Sequence, residues 1–136
     1  MTRAAIDTSA LLALASSRDQ YHADAVAAEA RFRKSGGRWL GSTLVLAELH
    51  GHLLRRLDPA GARRIITALV TDPAFDWRDA SVGLVRRAVD RWIARFADQR
   101  FSLTDAVTFE LMERERVTQA FAFDHDFVTA GFALLA

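Results

Sequence analysis

The sequence predicts an α/β fold, a three-layer α/β/α sandwich around a central, mainly parallel sheet. Three observations lead there. Short apolar runs alternate with longer stretches of helical spacing, the pattern of successive βα units. Hydroxyl, aspartate and proline residues mark the helix starts, and a Gly-Gly pair or proline marks several ends. No repeat or linker divides the 136 residues, and 51% of them are hydrophobic, so a single domain over residues 1–136 with a real core is expected.

Ala4–Ile6 reads as a short buried strand, and Asp7-Thr8-Ser9 then offers oxygen side chains to cap a helix over Ala10–Ala15. A long helix is expected over Asp19–Lys34, closed by Gly36-Gly37. Arg38–Ser42 is the second strand, and Thr43 caps a helix to Leu57. Asp58-Pro59 places a cap before proline at the first helical position, starting a helix that ends near Asp72-Pro73. Phe75–Trp77 is a strand. Ser81 caps a helix through Ala97, with Val82, Val85, Val89, Trp92, Ile93 and Phe96 at helical spacing. Arg87, Arg91 and Arg95 would form a basic stripe along it. Ser102–Thr104 leads into a helix over Asp105–Arg116, Gln119–Phe123 is the next strand, and Phe132–Leu135 a last edge strand.

Composition removes several chemistries. Cysteine is absent, which excludes disulfides, thiolate zinc sites and a cysteine nucleophile, and suits a reducing compartment. Met1–Ser17 has a basic residue and an apolar run, but Asp7 interrupts it and the run is too short for a secretory core or membrane span. A soluble, cytoplasmic protein with no membrane partner is expected. Net charge is only +1, so composition alone does not announce nucleic-acid binding. The basic side is almost all arginine, with Lys34 the single lysine; arginine forks suit phosphate, although GC-rich coding bias gives the same composition.

In a parallel sheet, ligands bind beyond the carboxyl ends of the strands. Four acids fall there: Asp7 after the first strand, Glu48 one turn into the helix after the second, Asp105 at a helix start, and Asp124 after the fourth strand. Asp7 and Asp124 also suit helix caps, and Asp105 suits a helix N-terminus. Glu48 is harder to explain that way, because it shares a helical face with Leu44 and Val45. Clustered carboxylates repel, and one would take up a proton unless a cation resolves the conflict. Mg²⁺ and Mn²⁺ prefer such hard oxygen ligands, and such an ion activates water and stabilises charge on a phosphate. The set therefore points to phosphodiester hydrolysis. Other motifs add little. His50 and His52 face different sides of a helix, His22 stands alone, and His125 between Asp124 and Asp126 reads as an exposed loop residue. There is no H-E-x-x-H, Walker loop, G-x-G-x-x-G or G-x-S-x-G elbow.

Four segments in this order carry a resemblance: Ile6-Asp7-Thr8-Ser9, Ser42-Thr43-Leu44-Val45-Leu46-Ala47-Glu48, Ser102-Leu103-Thr104-Asp105-Ala106 and Ala122-Phe123-Asp124-His125-Asp126-Phe127. Over nearly the whole chain this resembles PIN domains, and more narrowly the VapC-type toxins of bacterial type II toxin–antitoxin modules. The resemblance implies that Asp7, Glu48 and Asp105 hold Mg²⁺ or Mn²⁺ and that Asp124 is the fourth acid. It places Thr8 and Thr104 at supporting hydroxyl positions and Asp126 as a variable second acid. It further implies a ribonuclease for structured RNA such as tRNA or rRNA, a VapB-like antitoxin partner, and usually a homodimer. Arg87, Arg91 and Arg95 would guide the RNA backbone.

Two alternatives stand beside this reading. A DNA-directed metal nuclease would use the same carboxylates. A non-catalytic RNA- or partner-binding module would keep the fold with a degenerate site, against which stands the presence of all four acids. A D-x-D phosphatase is disfavoured, because Thr8-Ser9 supplies no second aspartate.

Overall fold

The structure is a computed structural model and describes residues 2–135. Five strands form one wholly parallel sheet: β1 (Arg3–Ile6), β2 (Arg38–Ser42), β3 (Phe75–Arg78), β4 (Gln119–Phe121) and β5 (Ala133–Leu134), in the order β3-β2-β1-β4-β5. The helices are α1 (Thr8–Ala15), α2 (His22–Lys34), α3 (Thr43–Arg56), α4 (Pro59–Thr71), α5 (Val82–Ala88), α6 (Leu103–Glu115) and α7 (Asp126–Thr129).

Side-chain alternation along the strands builds two cores. Ala4, Ile6, Trp39, Phe75 and Phe121 pack with α1, α2, α3 and α4, whereas Ala5, Leu40, Ala120 and Ala122 pack with α5, α6 and α7. Helices thus cover both faces, as the strand–helix alternation predicts. Trp39 is 1% exposed and stacks on Phe32 at 3.9 Å and Phe121 at 5.1 Å, joining α2 to the middle of the sheet. Among the described residues no helix is long and apolar enough to cross a membrane.

Glycine matters most in and beside β2. A Cβ on Gly41 would lie 2.7 Å from the Trp77 ring and 2.9 Å from Ile6 Cγ2, so only glycine lets β1 and β3 close on this strand. Gly41→Ala is expected to destabilise the fold by about 1–3 kcal/mol through overpacking. An unchanged midpoint in urea unfolding would contradict that packing argument.

Several expected boundaries shift for identifiable reasons. The second helix starts at His22 rather than Asp19, because the Asp19 carboxylate accepts the Tyr21 N–H at 2.8 Å and holds a turn. Ser42, not Thr43, caps α3 by accepting the Leu44 N–H, and Thr43 Oγ1 instead accepts the Ala80 N–H at 3.1 Å. Helix α6 begins two residues early, at Leu103, because Ser102 caps it. Strand β4 ends at Phe121 rather than Phe123, since the Phe123 N–H is taken by Ser9 Oγ. The short helix α7, where the sequence suggested a loop, is an addition.

The largest departure is the expected helix Ser81–Ala97. Helix α5 stops at Ala88, a π-helical turn spans Val89–Ile93, and Ala94 N–H donates to Val89 C=O at 2.8 Å. The buried row is Leu84, Ala88 and Trp92; Val82 is 82% exposed, so the apolar face drawn through it is corrected. The wider turn accommodates Trp92, which packs on Phe109 at 5.4 Å and donates Nε1–H to Glu110 at 3.1 Å. The π-helical turn interrupts the regular helix expected to carry Arg87, Arg91 and Arg95, all three of which are exposed. Arg91 is committed to Glu110 and Glu113 at 2.8 and 2.6 Å, and the Arg95 guanidinium lies over the Phe96 ring.

Candidate metal centre

The chain moves outward from β1 through β2 to β3, then returns to place β4 on the other side of β1. That reversal opens a crevice beyond the carboxyl ends of β1 and β4, where an open α/β sheet binds ligands. Asp7 and Asp124 follow those two strands, the second turn of α3 brings in Glu48, and the first turn of α6 brings in Asp105.

The same atoms that cap helices also build the site. Asp7 is the N-cap of α1; its Oδ2 accepts the Ser9 N–H at 3.1 Å and the Ser9 hydroxyl. Ser9 Oγ in turn accepts the Phe123 N–H at 3.0 Å, tying the start of α1 to the segment that carries Asp124. Asp124 Oδ1 accepts the Asp126 N–H at 2.9 Å, which orients that carboxylate at the entry to α7. Ser102 Oγ accepts the Asp105 N–H at 3.0 Å, and Asp105 lies in the first turn of α6, where the helix dipole favours negative charge.

Asp7, Asp105 and Asp124 each offer a carboxylate oxygen to a cluster whose members all lie within 4.8 Å of one another. Asp7 is 4% and Asp105 6% exposed. Burial pushes the Asp7 carboxyl upward, against the lowering effects of the Ser9 hydroxyl and N–H and of the neighbouring Asp105 carboxyl. Asp105 is pushed up to about 9, first by burial, then by the charges of Asp7 and Asp124, with Glu48 adding to it. Buried carboxylates this close cannot all ionise without a compensating positive charge. All-oxygen donors at this spacing fit a hard divalent cation, and a cation would remove the proton that the cluster otherwise retains.

Glu48 lies outside the tight trio but lines the same open pocket of about 330 Å³, together with Thr8, Ser9 and Asp126. The predicted acids are therefore brought together, with Glu48 at the wall. Thr8 Oγ1 is buried without a hydrogen-bond partner among the described residues. Burial first, then the charge of Asp124, pushes the Asp126 carboxyl upward. Thr104 is not among the described residues that line the pocket, and its carbonyl accepts the Thr108 hydroxyl at 3.0 Å. His125 is exposed, as its loop reading implies. Three contributors escaped the sequence reading: Ser9, which holds Asp7, and His52 and Arg100, which line the pocket. The i,i+4 spacing of Glu48 and His52 was the available signal for the histidine.

Ser9→Ala is expected to weaken Mn²⁺ binding by about 10–100-fold, because Asp7 loses the hydroxyl that orients it and favours its charge. Calorimetric Mn²⁺ titration checks this; equal affinity in the variant would remove Ser9 from the site.

Comparison with known proteins agrees with this fold. The PIN domain family model matches residues 4–133. The crystal structure of Mycobacterium tuberculosis VapC20, described as a sarcin–ricin loop cleaving toxin, superposes with a TM-score of 0.81 at 28% identity, covering 95% of each chain. In sequence, the 23S rRNA-specific endonuclease VapC20 of two M. tuberculosis strains is 39% identical over 41 residues, which span 30% of this chain and 31% of that relative. The structure of VapBC2 from Rickettsia felis, bound to a DNA fragment from their promoter, matches with a TM-score of 0.69 at 10% identity, a likeness of fold alone.

Proposed function

This chain belongs to the PIN domain family, and on that premise we propose that it is a Mg²⁺- or Mn²⁺-dependent endoribonuclease, the toxin of a VapBC-type toxin–antitoxin pair, formed by one nuclease domain over residues 1–136. The observation that carries the reading is the trio of buried Asp7 and Asp105 with half-buried Asp124 at the switch point of the sheet, with Glu48 on the same wall. The similarity to VapC20 favours structured RNA as substrate, a ribosomal stem-loop before tRNA. A VapB-like antitoxin, a homodimer and a cytoplasmic location belong to the same reading.

Asp7, Asp105, Asp124 and Glu48 would hold the ion. When bound, the ion supplies a water acidic enough to attack near neutral pH and neutralises charge on the phosphate. Ser9 fixes the Asp7 carboxylate, and the Asp126 N–H fixes Asp124. The unpartnered Thr8 hydroxyl is the group left to orient an oxygen entering the pocket. Thr104 supports by extending the first turn of α6 that carries Asp105, and Asp126 adds a second acid at the rim. Arg87 and Arg95 remain to guide the RNA backbone, since Arg91 is engaged with glutamates. Hydrolysis forms a water-oxygen–phosphorus bond and breaks the P–O3′ bond, leaving a 5′-phosphate and a 3′-hydroxyl.

The test is digestion of a sarcin–ricin-type RNA stem-loop beside single-stranded DNA of the same sequence, with Mg²⁺ or Mn²⁺. Cleavage of RNA at a discrete position, leaving a 5′-phosphate, is expected. Equal cutting of the DNA would replace this reading with that of a general metal nuclease.

A further inference from the structure

Among the described residues lining the acidic pocket, Arg100 is the one guanidinium. The other basic group there, His52, has its Nδ1 3.4 Å from Arg55 Nη1. Arg100 is exposed and makes no hydrogen bond or ion pair among the described residues, although Asp7, Glu48, Asp105 and Asp124 line the same pocket. Other arginines behave otherwise: Arg91 is paired with Glu110 and Glu113, and Arg78 with Asp76 and Glu115.

The position of Arg100 is fixed by what surrounds it in the chain. After the π-helical turn, Gln99 N–H donates to Phe96 C=O at 2.8 Å and closes a tight turn. Phe101 follows, 8% exposed, packed edge-on against Phe109 at 5.1 Å and against Phe96 at 5.4 Å. Ser102, next in sequence, caps the helix that carries Asp105. The backbone on both sides of Arg100 is therefore pinned, and a long cationic side chain is delivered to the rim of a carboxylate pocket without being consumed by it.

A planar guanidinium suits the paired oxygens of a phosphate. We propose that Arg100 grips the RNA phosphate presented to the carboxylate cluster, binding its non-bridging oxygens from the rim of the pocket. This rests on the nuclease reading above. It assigns the substrate contact closest to the reaction to a residue other than Arg87, Arg91 and Arg95.

The test uses the full chain with Arg100→Ala and Arg100→Lys. Cleavage of the RNA stem-loop with Mn²⁺ should fall about 10²–10³-fold in kcat for Arg100→Ala, as for loss of one preorganised donor to a developing charge. Arg100→Lys should recover part of that rate, while Mn²⁺ affinity and melting temperature stay at wild-type values. Binding is measured separately by anisotropy of the same labelled RNA in the Asp7→Asn background, where cutting is off. There Arg100→Ala should weaken binding and reduce the slope of log K against log salt by about one phosphate contact. Loss of Mn²⁺ affinity in Arg100→Ala would mean that the residue supports the fold of the site, and would overturn the proposal. So would an unchanged salt slope. If the wild-type chain cuts no RNA, the nuclease reading fails; the salt slope then still decides whether Arg100 contacts phosphate.

Discussion

Replacing Asp7 or Asp105 by asparagine is expected to abolish RNA cleavage, by at least about 10³-fold, the rate equivalent of the several kcal/mol that a polarising ion supplies. Asparagine keeps the shape of either side chain and removes the charge that a cation needs. Asp7→Asn retains an oxygen to cap α1, so the helix and its tie through Ser9 to the Asp124 segment should persist. The fold is then expected to survive while Mn²⁺ binding collapses. Glu48→Gln should have a smaller effect, because Glu48 stands outside the trio whose oxygens lie within 4.8 Å. Circular dichroism beside the cleavage assay checks both halves. Full activity in either aspartate variant would remove it from the centre.

The same cluster should make the metal-free protein lose stability as pH rises. Between the ordinary value of 3.8 and about 9, the folded chain retains a proton at Asp105 that the unfolded chain has released. The native state therefore binds more protons across this window, and stability falls by up to about 1.4 kcal/mol per pH unit. The acid side behaves oppositely. Arg33, Arg78 and Arg78 with Arg3 hold Asp72, Asp76 and Glu115 respectively below their ordinary values, so their stabilisation is lost only as pH falls through that lower range. In EDTA, the melting temperature should therefore decline from pH 5 to pH 9. Saturating Mn²⁺ should reverse the decline, adding about 3 kcal/mol at a hundred times its dissociation constant. Asp105→Asn cannot ionise, and at pH 8 without metal it should be more stable than the wild type by about 1–3 kcal/mol. A metal-free melting temperature that is flat or rising over this range would show that the carboxylates are not in electrostatic conflict.

Much of the site was legible because a parallel sheet turns sequence position into spatial position. Asp7, Glu48, Asp105 and Asp124 each fall just after a strand or within the first two turns of a helix, so knowing the strands places the acids at one edge. What could not be read depends on contacts between distant segments. Ser9 meets Phe123 across 114 positions, and nothing local distinguishes its hydroxyl from that of Thr8 beside it. The backbone decides: Ser9 Oγ reaches Asp7 and the far segment, whereas Thr8 Oγ1 is buried without a hydrogen-bond partner among the described residues. The π-helical turn was hidden for another reason. The apolar residues keep helical spacing through Val89–Ile93, so that stretch reads as uninterrupted α-helix in the sequence. Arg100 belongs to no periodic element, and it is the Gln99 turn, the burial of Phe101 and the Ser102 cap that fix it at the pocket.

The measurement closest to the central claim is digestion of total tRNA and ribosomal RNA by the purified chain with Mg²⁺, with Mn²⁺ and with EDTA, beside Asp7→Asn. Discrete fragments that require the ion and vanish in the variant are the predicted result. Fragments that persist in EDTA or in Asp7→Asn, or intact RNA after incubation with folded, metal-loaded protein, would contradict it.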